Sequence, residues 1–88
     1  MEITDLRNQI DTIDSKLIVL LSERARVVSD IGTWKKQHQM ESRDEERFKA
    51  ILADRVNQGE TMGISRDIII KIWHIIHDWA LSIEDTSK

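Results

Sequence analysis

Residues 3–38 read ITDLRNQIDTIDSKLIVLLSERARVVSDIGTWKKQH, and apolar side chains recur along them in a heptad-like series. The series is sustained for more than four heptads and comprises Ile3, Leu6, Ile10, Ile13, Leu17, Leu20, Val27, Ile31 and Trp34. This spacing predicts one long amphipathic helix. We expect the helix to run from about Thr4, which suits the N-cap, to His38, with Asp5 stabilising the first turn.

Two shorter amphipathic segments follow the long helix. The first starts with a capping box in which Ser42 is the N-cap and Glu45 the third helical residue, and we expect it to end at Gly59. Its apolar stripe consists of Phe48, Ile51, Leu52 and Val56. Residues 60–63 are predicted to form a loop, after which Ser65 caps a third helix. The stripe of this helix consists of Ile69, Ile72, Ile76, Trp79 and Ile83.

The length of the first helix indicates how the chain assembles. This helix would span about 50 Å at 1.5 Å per residue, whereas a compact domain of 88 residues has a radius of gyration of about 12 Å. The helix must therefore project from a single chain and expose its apolar stripe. We predict an all-α fold in which residues 1–88 form one domain and two chains form an intertwined homodimer.

The composition excludes several classes of function. Thirteen Lys and Arg residues against sixteen Asp and Glu give a net charge of −3, so we expect neither a nucleic-acid nor a membrane partner. The absence of cysteine rules out disulfides and thiolate metal sites, and the three histidines alone do not predict a metal site. Because the N-terminus shows no signal-peptide pattern, we expect a cytoplasmic protein.

Two cations have no acidic residue three or four positions away on their own helix. Arg24 occupies an a position of the heptad series, and Lys35 follows it by eleven residues on roughly the same face. A charge in such a position needs an anion, which is either a carboxylate of another helix or a ligand. Arg7 and Arg47 have acidic residues at helical spacing, and a surface pair explains each of them.

Three short motifs resemble those of the all-helical (AroQ-class) chorismate mutases, a family with related isochorismate-pyruvate lyases. They are LRNQID at residues 6–11, LSER at 21–24 and IGTWK at 31–35, and the resemblance extends from about Leu6 to Glu84. The resemblance implies an intertwined three-helix dimer that needs no cofactor. It also implies the conversion of chorismate, a small dicarboxylate, into prephenate, in aromatic amino-acid or specialised aromatic metabolism.

The resemblance also implies roles for individual residues. Arg24 would hold one carboxylate and Arg7 of the partner chain the other, because the two lie about 25 Å apart along one helix. Lys35 would donate to the ether oxygen, where negative charge develops, and Arg47 would be a supporting cation. The expected catalytic residues are Arg24, Lys35 and Glu84, and the expected substrate-binding residues are Arg7, Arg24, Lys35, Asp44, Arg47, Phe48 and Glu84.

Two departures from the family pattern leave the substrate open. Phe48 stands where the family commonly has a glutamate that contacts the ring hydroxyl, and Glu84 stands where bacterial members have a glutamine. Glutamate can donate a hydrogen bond only when it is protonated. The alternatives are an isochorismate-pyruvate lyase and a 4-amino-4-deoxychorismate mutase. The lyases also have an apolar residue at the position of Phe48 and a tryptophan at that of Trp79. In a non-catalytic helical dimer, Arg24 and Lys35 would pair with protein carboxylates.

Overall fold

The computed structural model describes residues 2–86, which form three α-helices and no strand. The helices are α1 (Ile3–Gln37), α2 (Glu45–Thr61) and α3 (Arg66–Thr86). The predicted all-α class is confirmed. None of these helices is long and apolar enough to cross a membrane.

The two ends of α1 differ from one another in how they are capped. The helix starts at Ile3 after Glu2, whose side chain makes no capping bond, so the prediction that Thr4 is the N-cap is wrong. At the other end His38 is the C-cap, and Gln39 adopts a left-handed backbone conformation with φ of 56°. The N–H groups of Gln39 and Met40 then donate to carbonyls of the last turn, which is a Schellman motif.

The start of α2 lies two residues later than the capping box predicted. Asp44 is the N-cap, and its Oδ1 accepts a hydrogen bond of 3.0 Å from the backbone N–H of Arg47. Ser42 is buried in the connection before the helix, where its backbone carbonyl accepts a hydrogen bond from Lys35. Ser42 therefore supports the end of α1, and the capping function belongs to Asp44.

The end of α2 also lies beyond its predicted position. The helix continues through Gly59 to Thr61, and Gly63, with φ of 80°, takes the left-handed position that ends it. Gly59 has a different task, because a Cβ there would lie 2.5 Å from Cγ1 of Ile69. Gly59 thus lets α3 approach α2 closely. The predicted cap of α3 is confirmed, since Ser65 Oγ accepts a hydrogen bond from the N–H of Ile68.

The core of a single chain is small, and α3 is at its centre. Both α1 and α2 pack against α3, and the buried apolar residues are Val28, Val56, Ile69, Ile76 and Ala80. The described residues measure 55 × 23 × 14 Å with a radius of gyration of 16.1 Å. A compact domain of this length would have a radius of about 12 Å, so α1 projects from the core as its length predicted.

The projecting part of α1 leaves its apolar stripe uncovered. Ile3, Leu6, Ile10, Ile13, Leu17 and Leu20 all remain exposed in one chain. In the middle of the helix, residues 17–21 are apolar on every side, and all five are exposed. A helix that is apolar all round is normally buried. The intertwined dimer stays a prediction, in which a second chain would cover this exposed apolar surface.

Candidate active site

The clearest feature of the site is an ion pair between the ends of α1 and α3. Lys35 Nζ lies 2.7 Å from Glu84 Oε1, and the two side chains are only 14% and 10% exposed. The same ammonium donates a hydrogen bond of 2.7 Å to the backbone carbonyl of Ser42. Lys35 is therefore held by groups from α3 and from the α1–α2 connection.

The anion that Lys35 lacked on its own helix is thus a carboxylate of another helix. The contact is electrostatic rather than directional, because Glu84 Oε1 receives no well-oriented hydrogen bond from the described residues. An ammonium has three N–H donors, so Lys35 can hold Ser42 and Glu84 and still donate to a ligand. Two of the three predicted catalytic residues, Lys35 and Glu84, therefore lie together.

Arg24 differs from Lys35 because its charge stays uncompensated. Its side chain is half-buried, and no carboxylate among residues 2–86 forms an ion pair with the guanidinium. Partial burial, followed by the positive charge of Arg55, lowers the pKa of Arg24. Both effects disfavour the charged guanidinium, and no carboxylate among residues 2–86 offsets this cost. An anionic ligand bound at Arg24 would offset it.

The first turn of α2 presents three of the predicted site residues. The carboxylate of Asp44 is occupied by the backbone N–H of Arg47, so the expected pair between these residues does not involve the guanidinium. The Arg47 side chain is exposed and forms no ion pair with any residue from 2 to 86. It can therefore reach a ligand, while Asp44 positions the start of the helix.

Phe48 lies between two histidines of α3. Its ring stacks on His77 with centroids 3.8 Å apart and planes at 12°, and it meets His74 edge-on at 5.1 Å. The sequence placed Phe48 in an apolar stripe and did not single out His77. The signal that would have found His77 is its spacing from Glu84, since seven residues are two helical turns and place both side chains on one face.

Arg7 lies far from the other site residues of its own chain. It is exposed near the start of α1, about 25 Å from Arg24 and about 42 Å from Lys35 along the helix axis. A single chain therefore brings together Lys35, Glu84 and the α2 turn but does not bring Arg7 to them. Across residues 2–86, no group of three or more His, Asp or Glu side chains is placed to hold a metal ion.

Comparison with known proteins identifies the family of this site. The family model for chorismate mutase type II matches residues 6–85. The chain belongs to the chorismate mutase type II family. This match confirms the resemblance to the all-helical chorismate mutases over nearly the whole chain. It also confirms that the chain belongs to a family of isomerases.

Two relatives of this chorismate mutase domain are larger proteins. The T-protein of Haemophilus influenzae is 42% identical over 65 residues, which are 74% of this chain and 17% of that protein. The T-protein of Enterobacter agglomerans is 35% identical over 68 residues, which are 77% of this chain and 18% of that protein. The chain spans less than a fifth of the length of either relative.

Proposed function

We propose that this chain is a chorismate mutase that converts chorismate into prephenate in a cationic pocket shared between two chains. The observation that carries the proposal is the half-buried guanidinium of Arg24, which has no carboxylate partner among residues 2–86. Its helix also carries Lys35, and the chain belongs to a chorismate mutase family. We further propose that the enzyme acts in the cytoplasm.

The chemistry matches the charges that the site offers. Chorismate carries two carboxylates, and negative charge develops on its ether oxygen as the bond breaks. Arg24 would bind one carboxylate, and Lys35, fixed by Ser42, would donate to the ether oxygen. A donor fixed in advance at such an oxygen contributes about 3–4 kcal/mol to transition-state stabilisation. The reaction is a rearrangement within one molecule, so the protein has to supply orientation and electrostatics only.

Glu84 has two opposite effects in this scheme. Its ionised carboxylate neutralises Lys35 in the free enzyme, at a distance of 2.7 Å. During the reaction the same negative charge would repel the charge that develops on the ether oxygen. Protonated Glu84 would instead donate a hydrogen bond to that oxygen. We therefore propose that the reactive form of the enzyme carries a proton on Glu84.

The second chain would supply the other carboxylate-binding cation. Arg7 lies too far from Arg24 to hold the same small ligand within one chain. Packing of a second copy along the exposed apolar side chains of α1 would bury residues 17–21 and bring Arg7 of the partner subunit towards Arg24.

Mixing two inactive variants tests this arrangement. Arg7→Ala and Arg24→Ala should each lose at least about a hundredfold in kcat/KM for chorismate, measured by the loss of its absorbance. Heterodimers formed from the two variants should regain part of the activity, because one of their two sites is then intact. Arg26→Ala, an exposed change on the same helix, is the control and should stay active. Heterodimers that form without regaining activity would contradict the shared site.

The second candidate function is that of an isochorismate-pyruvate lyase, and Phe48 favours it. An apolar ring at this position, covered by His77, cannot accept a hydrogen bond from a ring hydroxyl as a glutamate would. Separate incubations with chorismate and isochorismate distinguish the two reactions, since prephenate indicates the mutase and salicylate with pyruvate indicates the lyase. A non-catalytic dimer would explain Lys35, which has a protein carboxylate, but leaves Arg24 without one.

A further inference from the structure

His77 lies on the helix face of α3 that carries Glu84. The two residues are seven apart on α3, which places them about 10 Å apart along the axis and on one face, with buried Ala80 between them. Phe48 covers one face of the imidazole at 3.8 Å. A ring covered in this way can offer its two nitrogen atoms only along its edge.

Neither of these nitrogen atoms has a hydrogen-bond partner among residues 2–86, although the side chain is half-buried. Burial is the main effect that lowers the pKa of His77, and the positive charges of Arg43 and His74 add to it. Asp78 and Glu84 act in the opposite direction. The ring is therefore neutral at pH 7 and has one N–H donor and one nitrogen acceptor, both unused within the chain.

We propose that His77 determines substrate specificity in this site by forming a hydrogen bond with a hydroxyl group on the substrate ring. This inference rests on the proposed function, because it requires the substrate ring to lie near Lys35 and Glu84. The substrate ring would then reach His77, which lies on the same face of α3 as Glu84. The stacked ring of Phe48 holds the imidazole in place. His77 thus supplies the hydrogen bond to the ring hydroxyl that Phe48 cannot form.

The same geometry favours a ring hydroxyl over a ring ammonium group. A ring hydroxyl can accept a hydrogen bond from the N–H of the neutral imidazole or donate one to its other nitrogen, whereas an ammonium group has no lone pair and can only donate. In the proposed site, Arg24, Lys35 and Arg47 would also place positive charge around the ligand. The nearby carboxylate, Glu84, is engaged by Lys35. The positive charge of the ammonium group would be repelled by these cations, so we expect 4-amino-4-deoxychorismate to be the poorer substrate.

The test measures the activity of two phenylalanine variants of α3 with each of two substrates. His77→Phe keeps an aromatic ring against Phe48 and removes both nitrogen atoms. His74→Phe, one turn earlier, is the matched control, because His74 is exposed and meets Phe48 only edge-on. A third variant, His77→Gln, keeps a donor and an acceptor without the ring. Each is assayed for kcat/KM with chorismate and with 4-amino-4-deoxychorismate, and folding is checked by thermal unfolding.

We expect the wild type to prefer chorismate and His77→Phe to lose about fivefold to tenfold in kcat/KM for chorismate, mainly through KM. The kcat/KM for 4-amino-4-deoxychorismate should change by about twofold or less, so the preference for chorismate over this analogue becomes smaller. His77→Gln should recover part of the loss, and His74→Phe should resemble the wild type. Equal losses with both substrates, no loss, or a wild type that prefers the amino analogue would overturn the role of His77.

Failure of the proposed function gives a different pattern. A wild-type chain that neither converts chorismate nor binds prephenate in titration calorimetry would refute that function and the role of His77 with it. A chain that binds prephenate without turnover allows the same comparison by affinity, because prephenate carries a ring hydroxyl and two carboxylates. An active wild type with unchanged selectivity in His77→Phe would refute the role of His77 alone.

Discussion

The exposed stripe of α1 makes the dimer testable through one substitution, Leu17→Ala. Leu17 remains 53% exposed in a single chain and is the first residue of the stretch 17–21, which is apolar on all sides. Complete burial of a leucine side chain contributes about 1.5–3 kcal/mol relative to exposure. About half of that, roughly 0.8–1.5 kcal/mol per chain, is still available when a second copy covers the residue.

Both copies carry the substitution, so its effect on a symmetric dimer is doubled. The free energy of association should weaken by about 1.5–3 kcal/mol, which raises the dissociation constant roughly 10- to 150-fold. The methyl group that alanine keeps reduces this value, and the cavity left by leucine increases it. Sedimentation over a range of concentrations measures the change. Met62→Ala is the control, because Met62 is 78% exposed but lies after α2, away from the stripe.

Three results would refute this reasoning. A wild-type chain that is a stable folded monomer at micromolar concentration would rule out the intertwined architecture. A wild-type dimer whose dissociation constant is the same in Leu17→Ala would show that the α1 stripe is not the interface. A Met62→Ala change as large as that of Leu17→Ala would show that any lost apolar side chain has this effect.

Two further substitutions address Glu84 and His77. Glu84→Gln should raise kcat near pH 7.5 by about tenfold or more, because glutamine donates a hydrogen bond without needing a proton. Exposed Glu60→Gln is the control, and an unchanged kcat in Glu84→Gln would remove Glu84 from the site. His77 has a lowered pKa in the folded chain, so the unfolded chain binds its proton at higher pH. Stability should therefore fall as pH drops below about 6.5, the unfolded value, until His77 is also protonated in the folded state. Urea unfolding should show a smaller decrease in His77→Phe, and an equal decrease would contradict this assignment.

The helices were predictable because their signal is periodic and local. Apolar residues at helical spacing recur along all three segments, and the length of α1 then excluded a compact monomer. The helix ends were less predictable, because each connection contains two suitable residues. Ser42 and Asp44 can both cap α2, and Gly59 and Gly63 can both end it. Tertiary contacts decide between them, since Ser42 holds Lys35 and Gly59 admits Ile69.

The site was predictable only in part, for a related reason. The sequence showed that Arg24 and Lys35 lack partners on their own helix, but a partner on another helix leaves no periodic signal. Glu84 follows Lys35 by 49 residues, and only the packing of α1 on α3 brings the two together. His77 was missed because a histidine at helical spacing most often lies on the surface, and its stacking with Phe48 depends on how α2 lies on α3.

The ion pair between Lys35 and Glu84 links the stability of the free site to its reactivity. A nearly buried ammonium without a carboxylate would destabilise the junction of α1 and α3, so Glu84 has a structural task while the site is free. In the proposed reaction, a dianionic substrate would change this balance, because it would itself bring negative charge to Arg24 and Lys35. The ionised Glu84 would then oppose the developing charge. Glu84→Gln should therefore move stability and rate in opposite directions, which a purely structural ion pair would not do.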